Sequence, residues 1–123
     1  MATLFERIIA GEVPASFVHR DDRCVAFRDI HPRAPVHILV VPVKPLPTVN
    51  DIEDGDEALI GHLVTVARDL ARKEGIADDG YRLIINCNRD GGQEVYHLHV
   101  HLLGGAPLGP MVSAGPSPAA STR

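Results

Sequence analysis

Positive charge is not in excess in this chain of 123 residues. Lysine and arginine number 12 against 16 acidic residues, a formal net charge of −4. That balance gives a nucleic-acid backbone nothing to bind, although a single site can still offer local donors to a small nucleotide. Cysteine is nearly absent: Cys24 and Cys87 both lie in apolar, strand-like stretches. They read as buried thiols rather than as a disulfide or a metal pair. No apolar run reaches membrane-spanning length, and the first residues lack the apolar core of a secretory signal. A cytoplasmic location without membrane attachment is therefore the expectation. The length leaves room for one core, and neither an internal repeat nor a second domain is visible.

What is present has the periodicities of a mixed fold. Thr3-Leu4-Phe5-Glu6 has the form of a capping box, which predicts a short helix over residues 4–10 ending at Gly11. Residues 17–20 and 24–29 read as a hairpin around Asp21-Asp22-Arg23. Residues 37–41 are apolar enough for a central strand, bounded by Pro32 and Pro35 before and by Pro42, Pro45 and Pro47 after. The period then changes: Leu59, Ile60, Leu63, Val64, Ala67, Leu70 and Ala71 form one stripe on a long helix over 56–74, with Gly75 beyond it. Two further strands, 81–88 and 94–103, are expected to join through the glycine pair Gly91-Gly92 as a tight hairpin. The fold class is α+β, a mainly antiparallel sheet with one long and one short helix. The domain is placed at 1–112 and a tail, rich in Gly, Pro, Ser and Ala, at 113–123.

The chemistry concentrates in His97-Leu98-His99-Val100-His101. A strand repeats every two residues, so three imidazoles share one face over about 13 Å, while Leu98, Val100 and Leu102 take the other. Burial alone does not favour a row of polar rings. Two readings are open: three imidazoles around a metal ion, or a nucleophilic imidazole flanked by others. The second is favoured, since histidines two apart on a flat strand converge poorly on one ion and no carboxylate adjoins them. A ring titrating near neutrality also offers both a lone pair and donors for developing phosphate charge. No metal and no cofactor is expected. His19, His31 and His62 read as surface residues.

The run Gly91-Gly92-Gln93-Glu94-Val95-Tyr96-His97-Leu98-His99-Val100-His101-Leu102-Leu103-Gly104-Gly105 resembles the signature of the histidine-triad (HIT) nucleotide-binding proteins. So do the segments 5–9, 26–30, 37–42 and 80–86, in order and spacing, and the phosphoramidase branch of bacteria is the most similar. The resemblance implies a HIT-like fold with a five-stranded sheet, and a two-fold dimer in which two such sheets join into one of ten strands. It implies cleavage of the P–N bond of purine nucleoside 5′-phosphoramidates, and of acyl-adenylates, releasing the monophosphate. His99 would be the nucleophile, His97 would help orient it, and His101 and His37 would lie at the phosphate. Asp29 and Ile30 would meet ribose and base, Asn86 would contact the nucleotide, and Gly92 and Gln93 would present backbone amides to the phosphate. Glu94 stands where the eukaryotic branch has serine, near the leaving group. Dinucleoside polyphosphate hydrolysis within the same superfamily and a non-catalytic purine-nucleotide regulator are the alternatives. The nucleotidyltransferase branch is disfavoured because it carries glutamine where this chain has His101.

Overall fold

A computed structural model of the chain describes residues 2–112, so the segment 113–123 lies outside the described residues. Thr3 caps the first helix, α1 (Leu4–Ile9), through the reciprocal bonds of a capping box, and Gly11 follows with positive φ. Strands β1 (Phe17–Arg20) and β2 (Cys24–Arg28) form the anticipated hairpin, and β3 (Val36–Pro42) is the central strand. Helix α2 (Glu57–Lys73) follows two single 3₁₀ turns. Strands β4 (Tyr81–Ile84) and β5 (Val100–Gly104) complete an antiparallel sheet in the order β1-β2-β3-β5-β4. The fold is the α+β class expected.

Period-two alternation splits the sheet into two faces. Cys24, Ala26, Ile38, Val40, Val100 and Leu102 pack on Leu63, Val66, Ala67, Leu70 and Ala71 of α2. On the opposite face Val25, Phe27, Leu39 and Val41 pack on Phe5 and Ile8 of α1. The α2 stripe differs from expectation in one place. Val64 stands on its flank at 43% exposure, while Val66 on the other flank is buried.

The region before β5 departs further from the sequence reading. The chain leaves the sheet at Ile84, makes a short helical turn, α3 (Asn88–Gly91), and rejoins only at Val100. No tight glycine hairpin forms. Instead Asn88 and Gly92 both take positive φ, and the Gln93 carboxamide ties the turn down. Its oxygen accepts from the Asn88 amide at 2.9 Å, and its nitrogen donates to the carbonyls of Pro47 (2.7 Å) and Val95 (3.1 Å). The Leu98 amide donates to the Leu46 carbonyl at 2.7 Å rather than to a neighbouring strand. Of the three clustered histidines only His101 therefore lies in a strand. His97 lies in a bend over 95–97 and His99 on the segment that leads into the strand.

Candidate active site

The alternation survives the loss of strand pairing. Leu98 and Val100 face α2, and His97, His99 and His101 face the side of α1. Phe5 packs edge-on against the His99 ring, with centroids 4.9 Å apart, and lies 6.3 Å from that of His97. All three histidines are buried, as is His37 on β3. In the β3–β5 register His37 opposes Leu103 and Leu39 opposes His101, so His37 and His101 are diagonal neighbours on one face. Their rings meet.

Hydrogen bonds define which nitrogen of each ring carries the proton. A carbonyl oxygen only accepts, so His99 donates from Nδ1 to the His97 carbonyl at 2.8 Å. Its Nε2 is then the lone pair of the neutral ring. His97 in turn donates from Nε2 to the Pro42 carbonyl at 2.7 Å, which pins the residue whose carbonyl holds His99. A second chain starts at the Arg33 amide, which donates to His37 Nδ1 at 3.1 Å. His37 must then donate from Nε2 to His101 Nδ1, 2.9 Å away, and His101 keeps its own proton on Nε2. His99 thus keeps a lone pair on Nε2 beside the spare donor of His101, while the lone pair on His97 Nδ1 is buried without a hydrogen-bond partner. The ring centroids of His99 and His101 are 4.9 Å apart.

Burial pushes the pKa of His99 below its ordinary value, although the hydrogen bond to the His97 carbonyl works the other way. His101 is pushed down to about 4, by burial first and then by the charges His99 and His37 would carry. His37 is lowered chiefly by burial, against the pull of Asp29. These three rings are neutral at pH 7. That is the state a nucleophile needs.

Asp29 follows β2 and stands beside this row. Its Oδ2 lies 3.5 Å from His37 Nε2, and its Oδ1 accepts from the His31 amide at 2.8 Å. Ile30 next to it is 82% exposed, an apolar side chain that nothing among the described residues covers. Asn86 is half-buried where the chain leaves β4. Glu94 is exposed and leans toward Arg33 at 3.7 Å. The Gly92 and Gln93 amides differ from expectation, because the turn uses both. Gly92 donates to the Arg89 carbonyl and Gln93 to that of Asn88, each at 3.0 Å. A groove lined by Gly75, Ile76, Tyr81, Arg82, Gly105 and Leu108 shares no residue with the histidine row.

The HIT domain family matches residues 10–108. The chain belongs to the HIT family. It is 57% identical over 111 residues to the purine nucleoside phosphoramidase of Escherichia coli K12, covering 90% of this chain and 93% of that protein. An uncharacterized HIT-like protein of Synechocystis is 49% identical over 86% of this chain and 92% of its own. Among solved structures, a HIT family hydrolase from Legionella pneumophila superposes with a TM-score of 0.86 at 47% identity, covering 88% of this chain and 96% of that one. A histidine triad protein from Clostridium difficile gives 0.84 at 44% identity, covering 87% and 93%.

Two features were not anticipated from sequence. Phe5 closes over the histidine row, whereas its signals in the sequence, an apolar position in the first helix and a place in the family-like segment 5–9, said nothing of that contact. His19 and His62 are not plain surface residues. Their side chains are 32% and 18% exposed, and both donate from Nε2 to Asp21 Oδ2, at 2.6 and 2.7 Å. His31, by contrast, is exposed as expected.

Proposed function

We propose that the chain is a purine nucleoside phosphoramidase acting through a nucleotidyl-histidine on His99. One observation carries the reading: the His97 carbonyl accepts a hydrogen bond from the Nδ1–H of His99, which leaves Nε2 of the buried, neutral ring with the lone pair. Nε2 attacks the α-phosphorus and the P–N bond breaks, the amine taking a proton from solvent as it leaves. The positive charge that forms on the ring is shared with the His97 carbonyl through the Nδ1–H bond. His101 donates from Nε2 to a phosphate oxygen as charge builds there, backed by His37. Water then displaces the imidazole, its proton passes to solvent, and the nucleoside monophosphate is released. No step calls on a metal or cofactor.

In this reading Asp29 accepts from the ribose hydroxyls, Ile30 covers the purine, and Asn86 contacts the nucleotide. Gly92 and Gln93 shape the rim instead of donating amides, and Glu94, held toward Arg33, faces the leaving group. The 57% identity to the Escherichia coli purine nucleoside phosphoramidase supports a purine phosphoramidate over a dinucleoside polyphosphate. The test is a rapid acid quench during turnover of an adenosine 5′-phosphoramidate, followed by mass spectrometry of peptides. An adenylyl group on His99 is the expected result, and a single-turnover burst with no protein adduct overturns the mechanism. Faster turnover of a dinucleoside polyphosphate than of the phosphoramidate overturns the substrate class.

A further inference from the structure

On the α2 side of the sheet, away from the histidine row, four side chains of metal-ligating type meet. His19 comes from β1, Asp21 and Cys24 flank the β1–β2 turn, and His62 comes from α2. Their ligand atoms all lie within 4.8 Å of one another. Asp21 Oδ2 is the hub, 2.6 Å from His19 Nε2, 2.7 Å from His62 Nε2 and 3.6 Å from Cys24 Sγ. The other carboxylate oxygen accepts the amides of Arg23 and Cys24, at 2.7 and 2.8 Å. The turn itself thus orients the carboxylate and leaves Oδ2 to face the other three groups.

We propose that this cluster binds one divalent zinc-type ion, through His19 Nε2, Asp21 Oδ2, Cys24 Sγ and His62 Nε2. Two imidazoles, a thiolate and a carboxylate form a tetrahedral donor set for zinc, and the two negative ligands balance its charge. Ligand bonds of about 2.0–2.3 Å put neighbouring donors roughly 3.3–3.8 Å apart. The sulfur–oxygen separation already meets this, and each imidazole has to withdraw from Oδ2 by less than about 1 Å. Both imidazoles are partly exposed and free to do so, whereas Cys24 is fully buried in β2. On binding, the Cys24 thiol gives up its proton to solvent and each imidazole moves its proton from Nε2 to Nδ1. At His62 that position now accepts from the Arg23 guanidinium at 3.1 Å, so the exposed Arg23 side chain has to turn away. With four protein ligands and no open position, the ion would clamp the hairpin to α2 and take no part in the chemistry on the other face.

The test uses the full chain freed of metal and titrated with Zn²⁺ and with Co²⁺ alone. One ion per chain is expected. Co²⁺ should give tetrahedral visible bands with a thiolate charge-transfer band, and Zn²⁺ should raise the thermal midpoint. Cys24→Ser should abolish the charge-transfer band, and His62→Ala should weaken Zn²⁺ binding at least about tenfold. Arg23→Ala should bind more tightly than the parent, while His19→Ala and His62→Ala keep parental turnover. A second group, Asp29, His37 and His101, also brings donors together, so His101→Ala serves as the control and should bind Zn²⁺ like the parent. A parent cobalt spectrum without the thiolate band overturns the proposal, as does zinc affinity that survives His62→Ala or disappears with His101→Ala.

Discussion

His99 and Asp29 divide the site between chemistry and binding. His99→Ala is expected to lower kcat at least about 1,000-fold while nucleotide affinity and the thermal midpoint stay close to the parent. Leu98, Val100 and Leu102, which pack on α2, are untouched by the change. Asp29→Ala should do the converse, raising KM through lost ribose contacts with a smaller effect on kcat. Steady-state kinetics with a fluorogenic adenosine phosphoramidate, beside AMP titrations, separates the two, and near-normal kcat in His99→Ala refutes the nucleophile. His97 acts on His99 through its main-chain carbonyl, so His97→Ala keeps the acceptor but frees it from Pro42. Its loss in kcat should fall well short of that of His99→Ala. Alternation was enough to place three imidazoles on one side from sequence. It could not show that the contact orienting His99 runs to a backbone oxygen two residues back, because spacing carries no information about tautomers.

Elements written in one clear period were legible, and the segment that mixes signals was not. The Thr3–Glu6 box, the β1–β2 hairpin, β3 and α2 each follow from a local pattern that the fold leaves intact. Residues 94–99 keep a strand-like pattern of apolar and polar side chains, and the glycine pair Gly91-Gly92 sits in front of it. β4 nevertheless stops at Ile84, leaving Glu94 to His99 no strand to pair with, and the Gln93 and Leu98 contacts to Pro47 and Leu46 decide the path. Those partners are more than 40 residues away, beyond the reach of a local reading. Gln93→Ala removes three hydrogen bonds at once and is expected to cost about 2 kcal/mol. It should also lower kcat by letting the approach to His99 move. Leu63, fully buried in the α2 face, is the matching test of packing: Leu63→Ala should cost about 3 kcal/mol in urea unfolding, with kcat preserved in the folded fraction.

The molecule as a whole carries its site as a pH liability. The folded state holds His37, His99 and His101 neutral, whereas the unfolded chain takes up protons as pH falls through about 6.5. The stability they support is complete above that value and drains away on acidification; for His101 the window extends from 6.5 down to about 4. Thermal midpoints measured across this range should fall with pH, and less steeply in His101→Gln; a parent midpoint flat from pH 7 to 5 contradicts the depressed values. Assembly is the second property at this scale. β4 is an edge strand, and Val64 on α2 and Ile85 after β4 are exposed apolar side chains. A dimer of the kind the family resemblance implies would join two copies there, and for it Val64→Asp with Ile85→Asp is expected to reduce the mass in sedimentation to that of one chain; a parent that already sediments as one chain refutes it. The other rim of the sheet behaves differently. β1 is four residues long, loses register between Phe17 and His19, and carries the Arg20 guanidinium over the Phe17 ring at 4.2 Å. A strand arriving there finds its ladder broken within a residue. Growth by strand addition is thus open at β4 and obstructed at β1, and two copies that met through their β4 edges would leave no further edge suited to extending a fibril.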